Sequence, residues 1–389
     1  MIKEIKTEKL PIKLWLNDIE DGALEQAKNL ANHPFAFKHI ALMPDCHQGF
    51  GMPIGGVLAT KDVVIPNAVG VDIGCGMCAV QTSLKHIDNK DLKKILEEIK
   101  LLIPLGFNHH KNQQAEELMP SGYDIDIMPV TRREYNSARK QIGTLGGGNH
   151  FIEIQKSDDD NIWIMIHSGS RNIGKQVADY YNRIASKLND KLNKPIPKSF
   201  QLSYLEIDSE PGNQYMLEMN YCIDFAFANR KLIMDKIIEV FSNHFKSDIK
   251  FFPLINIAHN YAAKEYHFNN DLIIHRKGAT KADKNTIGII PGSQGTNSYI
   301  VKGKGNKDSF ESCSHGAGRI MGRKQAIRSL DLKKEIAYLN EKNIIHSIKT
   351  EKDLDEASSA YKNIDLVMKN QEDLVEIVSE LIPLAVIKA

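Results

Sequence analysis

Apolar residues recur along this chain in two rhythms. Over residues 88–103, Leu92, Ile95, Leu96, Ile99 and Leu102 fall on one face at helical spacing. They follow an Asp88/Asn89 start signal, so the spacing predicts a helix. Residues 222–245 and 361–381 repeat that spacing, and 175–191 continues it after a glycine, which predicts three more helices whose content is core packing. The second rhythm is a short apolar run that stops at a polar residue and a Gly or Ser cluster. It occurs at 67–77 (NAVGVDIGCGM), 163–171 (WIMIHSGSR), 254–260 (LINIAHN) and 287–294 (IGIIPGSQ). Such runs predict buried strands feeding tight turns. Side chains at strand exits can converge from distant parts of a sequence.

No repeat, low-complexity tract or linker divides the chain, and we expect a single domain over 1–389. The lysine- and proline-rich 186–200 (SKLNDKLNKPIPKSF) reads as a surface connection, and about 186–250 as a candidate peripheral insertion. Of the 389 residues, 42% are apolar and 25% charged, values of a globular protein that exclude a disordered or fibrous chain. Lys plus Arg total 50 against 49 for Asp plus Glu, so any basic site must be local. No apolar run approaches ~18 residues, and the start, MIKEIKTEKLPIKLW, lacks the apolar core of a signal peptide. Five cysteines (46, 75, 78, 222, 313) are too few and too odd for a disulfide framework, so a reducing cytoplasm is expected, with no membrane partner.

Five residues stand at the exits of the apolar runs or beside small residues: Asp72, Cys75, His150, His167 and His259. Singly, each histidine reads as a satisfied core residue. Together they supply a carboxylate, a thiolate and three imidazoles, enough for two metal ions if the sulfur bridges. A core gains nothing from so many ionisable groups unless they are paired or metallated. Carboxylate with imidazole suits manganese, and thiolate with imidazole suits zinc equally well.

Two motifs are decoys. Cys75 and Cys78 form a C-x-x-C pair, yet no second pair completes a zinc site and the glycine-rich surroundings are unlike a redox turn, which leaves Cys78 a packed thiol. Residues 169–176 (GSRNIGKQ) fall one residue short of a P-loop, and Gln176 cannot supply the magnesium-binding hydroxyl. Arg171 and Lys175 at a helix start could still hold an anion. A third cluster, 312–323 (SCSHGAGRIMGR), sets His315 beside Gly316 and Gly318, whose backbone amides can approach a ligand. Arg319 and Arg323 are four residues apart and would share a helix face. That combination suits a nucleophile for a phosphorus centre with arginines on further phosphates. Residues 275–280 (HRKGAT) read as a short basic loop, and 291–298 (PGSQGTNS) as a turn that could read a nucleotide. Lys388 ends an apolar tail, either frayed or docked so that its ammonium caps a ligand.

The ordered motifs MPDCHQGFGMPIGG, AVGVDIGCGM, GTLGGGNHFIE, IHSGSRNIG, IAHNYA, HRKGAT, PGSQGTNSYI, SCSHGAGRIMGR, DEASSAYKNID and PLAVIK resemble the RtcB family of RNA ligases, from residue 43 to the C-terminus. The resemblance implies an α+β fold of the RtcB type, mixed sheets and helices around a central metal and nucleotide cleft. It implies GTP and two Mn2+ ions as cofactors, one ion held by Asp72, Cys75 and His150, the other by Cys75, His167 and His259. His315 would be the histidine that becomes guanylylated, with Asp45 an acidic neighbour of the metals. GTP contacts would come from Asn149, His150, Phe151, Ile152, Glu153, His259, Asn260, Pro291, Gly292, Ser293, Gln294, Ser298, His315, Gly316, Ala317, Gly318 and Lys388. Arg171, Arg319 and Arg323 would meet RNA phosphates, and the basic 275–280 loop would help place the RNA backbone.

The implied activity joins RNA 3′-phosphate or 2′,3′-cyclic phosphate ends to 5′-hydroxyl ends through an RNA(3′)pp(5′)G intermediate, in tRNA splicing or RNA repair. An archease-type activator is a candidate partner. The chain departs from the family pattern at Gln294, Gly322, Ser358, Ser359, Cys46 and the terminal Lys-Ala, and none of these departures removes a proposed metal ligand or the nucleophile. Two other classes use some of the same residues: a two-metal phosphohydrolase, which would not need His315, and an inactive RNA-binding paralogue, which would have lost a ligand.

Overall fold

The computed structural model describes residues 1–245 and 248–388; Ala389, half of the terminal departure noted above, lies outside them. Two sheets organise the chain. A six-stranded sheet runs in the order Lys3–Ile5, Ile12–Leu14, Ala36–Phe50, Met52–Thr60, Asn270–Lys277, Asn260–His267. A seven-stranded sheet runs Ile255–Ala258, Gly76–Gln81, Ile162–Ser168, Phe151–Ser157, Val375–Lys388, Ser298–Gly303, Ile287–Ile290. Helices pack against both, so the expected α+β class holds. Residues 255–267 pass from the second sheet to the first, and His259 stands at that crossing.

The helix predicted over 88–103 spans Asn89–Leu102, capped by Asp88, whose carboxylate accepts the Asp91 N–H at 2.8 Å. Leu92, Ile95, Leu96 and Ile99 are buried as expected, whereas Leu102 is exposed. The helix expected over 175–191 runs Arg171–Asn189. The one expected over 222–245 begins twelve residues earlier, as Glu210–Phe245. Its buried face carries Glu218, Asn229 and Arg230, which interrupt the apolar rhythm. Glu218 is satisfied: it accepts from the backbone of Val130 and Thr131 and from the Tyr181 hydroxyl.

Two expectations fail. Residues 361–381 are not one helix: Ile364–Lys369 is helical, and Val375–Lys388 is a strand between Phe151–Ser157 and Ser298–Gly303. Its β-branched run suits a sheet interior better than a helix. The 67–77 run is not a strand feeding a turn. Pro66–Val69 is a helical turn, Gly70 and Gly74 take positive φ (94° and 73°), and the strand starts only at Gly76. The other three runs form the strands Ile162–Ser168, Ile255–Ala258 and Ile287–Ile290.

Candidate active site

Strand register gathers the donors. Gly76 pairs with both Ala258 and Ser168, and Phe151 pairs with His167, so Cys75, His259, His167 and His150 line up at one end of adjacent strands. Gly76 is obligatory, because a Cβ there would enter the Ile257 carbonyl. Cys75 Sγ lies 3.5 Å from His150 Nε2 and 3.2 Å from His167 Nε2; His150 Nε2 lies 3.2 Å from Asp72 Oδ2, and His167 Nε2 3.4 Å from His259 Nε2. Two donors ~2.1 Å from one ion at tetrahedral angles sit ~3.4 Å apart. Among the described residues, two donor groups form: Cys75, His167, His259 and Asp72, Cys75, His150, each within 4.8 Å.

Outer hydrogen bonds make these nitrogens acceptors. His150 Nδ1–H donates to the Leu145 carbonyl at 3.0 Å and His167 Nδ1–H to the Asn149 carbonyl at 3.1 Å, which leaves both Nε2 lone pairs turned toward Cys75. Burial, reinforced by neighbouring imidazoles, keeps His167 and His259 neutral well below their ordinary value. Burial also pushes the Cys75 thiol well up, with Asp72 adding to it. Burial would raise Asp72 too, but a proton on His150 Nε2, in the place a bound cation would take, holds it at about 2. Neutral imidazoles, an ionised carboxylate and a thiol that ionises only beside a cation form a donor set that fits a metal pair bridged by sulfur. Cys78 takes no part: it is buried against the Arg230 carbonyl and pushed up to about 12.

The helix Glu210–Phe245 braces this end. Arg230 is fully buried and donates to the Gly74 and Ser168 carbonyls at 2.8 and 2.9 Å, beside two of the donors. Asn229 ties Gly143, Thr144, Ser168 and Gly169 together.

From the six-stranded sheet comes Asp45, wholly buried. Its Oδ2 accepts the His315 Nδ1–H at 2.6 Å and the His315 backbone N–H at 3.0 Å. The His315 ring packs edge-on to His259 with centroids 4.8 Å apart. With Nδ1 committed to Asp45, Nε2 carries the free lone pair. Gly318, at φ 74°, lets the loop press on the Asp45 backbone, where a Cβ would collide.

These groups open into a cavity of about 860 Å³ lined by His167, His259, His315, Asn149, Phe151, Glu153, Pro291, Gly292, Ser293, Gln294, Gly316, Ala317, Gly318, Arg319, Arg323, Glu356 and Lys388 among others. The tail is docked: Lys388 pairs with Phe151 in the sheet, and its Nζ lies 3.7 Å from Glu356. Glu153 is buried with Oε1 unpartnered; burial drives its carboxyl far up while Lys388 pulls it down.

Several expected residues sit elsewhere. Ile152 points into the apolar core on the opposite strand face. Ser298 is buried and supports the 291–294 turn by accepting from Gly292 N–H, and Asn260 bonds Asp72 O and Gly278 N–H. Arg171, at φ 60°, stands outside the cavity wall, donating to Thr144 Oγ1 and the Gly106 carbonyl. Lys175 pairs with Asp179 on the surface, so the 169–176 helix start does not gather both cations. The 275–280 segment is no basic loop. His275 bonds Ile65 N–H, Arg276 is paired with Glu265, and Lys277 donates to the Phe50 and Asn67 carbonyls, all buried. Arg319 and Arg323 do not share a helix, since the helix begins at Arg323; they meet at Glu356, 2.9 and 2.7 Å away.

Glu356 carried no assignment from sequence, nor did Asn229 and Arg230. The first lies inside the DEASSAYKNID motif; the others are polar breaks in an apolar helix face, a signal for a braced site.

Comparison with known proteins agrees in extent. The family model described as tRNA-splicing ligase RtcB matches residues 26–127 and 123–389. The chain is 37% identical to the RNA-splicing ligase RtcB of Escherichia coli K12, over 97% of each chain. It is 31% identical to the tRNA-splicing ligase RtcB of Thermococcus kodakarensis (95% of this chain, 91% of that one) and 32% to that of Methanococcus maripaludis (91% and 88%).

Proposed function

Because this chain belongs to the RtcB family, we propose that it is an RNA ligase that uses GTP to join a 3′-phosphate, or a 2′,3′-cyclic phosphate opened to one, to a 5′-hydroxyl end. The observation that carries the chemistry is the Asp45–His315 pair beside the five clustered donors, two of which, His167 and His259, line the cavity. Asp72, Cys75 and His150 would hold one manganese ion and Cys75, His167 and His259 the second, supplying, when bound, neutralisation of the triphosphate and polarisation of the α-phosphorus.

His315 Nε2 attacks that phosphorus. An N–P bond forms, the bond to the β-phosphate oxygen breaks, and pyrophosphate leaves. Asp45 holds the Nδ1 proton and so stabilises the charge that develops on the ring. An oxygen of the RNA 3′-phosphate then takes the GMP, freeing His315 and leaving RNA(3′)pp(5′)G. The 5′-hydroxyl oxygen attacks the RNA phosphorus, its proton is lost, and GMP departs.

We assign guanine reading to Glu153, with the 291–294 turn, Ser298, the 316–318 turn and Lys388 around the nucleotide, and Asn149 to Ile152 and Asn260 through backbone or support. Arg323, the more exposed arginine, meets RNA phosphate, with Arg319 and Arg171 completing a positive rim. We treat 1–389 as one ligase domain acting on RNA in the cytoplasm, with an archease-type activator as candidate partner. Among the described residues no helix is long and apolar enough to cross a membrane.

The test is sealing by purified protein with manganese, GTP and an RNA pair bearing 3′-phosphate and 5′-hydroxyl ends. Joined product that needs GTP is expected; sealing that proceeds equally without nucleotide would overturn the proposal.

A further inference from the structure

Phe107 is 98% exposed, the barest large apolar side chain among the described residues, and the chemistry above does not use it. Its backbone is nevertheless fixed. Gly106 N–H donates to the Gly146 carbonyl at 3.0 Å, the Gly106 carbonyl accepts from Arg171 Nη2 at 3.3 Å, and Asn108 N–H returns to Leu105 at 3.1 Å. A tied turn thus presents a free ring.

Between this turn and the cavity lies a run of three glycines, 146, 147 and 148. A Cβ on Gly147 would stand 3.6 Å from Gly106 Cα, and one on Gly148 2.8 Å from Arg323 Nη2; one on Gly146 would collide with the Arg171 guanidinium. Gly146 is buried, and the partly exposed Gly147 and Gly148 leave a strip of backbone between the Phe107 turn with Arg171 on one side and Arg323 on the other. The next residue, Asn149, already lines the cavity. Three residues span at most ~10 Å, so the backbone anchor of this turn stands within that reach of the cavity lining.

We propose that this strip is the docking track for single-stranded RNA next to the 3′-phosphate, with a base stacked on Phe107 and the backbone crossing the glycines under Arg323. The inference rests on the RNA-ligase reading. Sequence-tolerant single-strand sites combine cationic contacts to phosphate with aromatic faces for bases, and both are present here.

The experiment compares wild type, Phe107→Ala, Phe107→Trp and Phe107→Leu as purified, manganese-loaded proteins. Each is given GTP and a single-stranded 3′-phosphate oligonucleotide, and a second series places one abasic site at successive positions from the 3′ end. Guanylylation from GTP should be equal in all four. The KM for RNA should rise about 5- to 100-fold in the Ala and Leu variants and stay near wild type in Trp. One abasic position should weaken wild type by a similar factor and leave Phe107→Ala indifferent. Unchanged KM in Phe107→Ala, as expected if the ring docks a protein partner or nothing, overturns the proposal, as does full rescue by leucine. Absence of guanylylation in wild type would instead sink the ligase reading, a distinct result.

Discussion

Replacing Glu356 by Gln keeps the side-chain shape and removes its charge. Glu356 is 1% exposed and gathers Arg319, Arg323, Lys388 and the Tyr361 hydroxyl. Burial alone would raise its carboxyl; Lys388, Arg319 and Arg323 together bring it below the ordinary value. Removing one partner of a buried ion pair costs about 3–5 kcal/mol. Arg323 is 49% exposed, so its share is screened to about 0–1 kcal/mol. Arg319 and Lys388, 15% and 13% exposed, carry the rest, for a total of about 2–4 kcal/mol. For a chain of this size that lowers the melting midpoint by roughly 2–5 °C. Added GTP with manganese brings negative charge to Lys388, the one of these cations assigned to the nucleotide, so it should raise the midpoint of Glu356→Gln more than that of wild type. The folded carboxyl titrates below its unfolded value of 4.5, so its contribution is complete above that pH and is lost as pH falls through the lower folded value. The gap between wild type and variant should therefore narrow below about pH 4.5. Equal midpoints at pH 7, or equal stabilisation by GTP, would refute the idea that this carboxylate organises the cations.

Other outcomes follow from the same geometry. Cys75→Ala should lose both metal ions by elemental analysis while Cys78→Ala keeps them, and metal affinity in wild type should rise with pH because binding displaces the Cys75 proton; one ion in wild type, or dependence on Cys78, would contradict the bridging thiolate. Asp45→Asn should keep its metal but lose guanylylation ~10²-fold or more, since the His315 tautomer is no longer fixed; near-normal labelling would remove Asp45 from the mechanism. Arg323→Ala should retain most guanylylation while sealing falls ~10-fold or more, with a defect that worsens as salt is added; parallel losses would place Arg323 in the nucleotide site.

The sequence and the structure agree where the signal is local. A strand that ends in a polar residue and small neighbours is readable from a few positions, and His167 and His259 fell out that way. Asp72 and Cys75 were found although the 67–77 run was read as a strand, because the two glycines that build the turn also flank the donors. What failed depends on distant partners. Arg276 and Lys277 look like a basic loop until Glu265 and the Phe50 and Asn67 carbonyls bury them. The 361–381 spacing fits a helix until the neighbouring strands claim Val375–Lys388. Glu356 needs three cations from two distant segments, and the Phe107 track needs the 146–148 glycines beside it.

The central claim is a covalent bond at His315. Purified protein incubated with manganese and GTP labelled on the α-phosphate should retain label that is acid-labile and alkali-stable, as a phosphoramidate is, and His315→Ala should retain none while still binding metal. Label that persists in His315→Ala, or wild type that binds GTP and seals RNA without ever carrying label, would contradict the account.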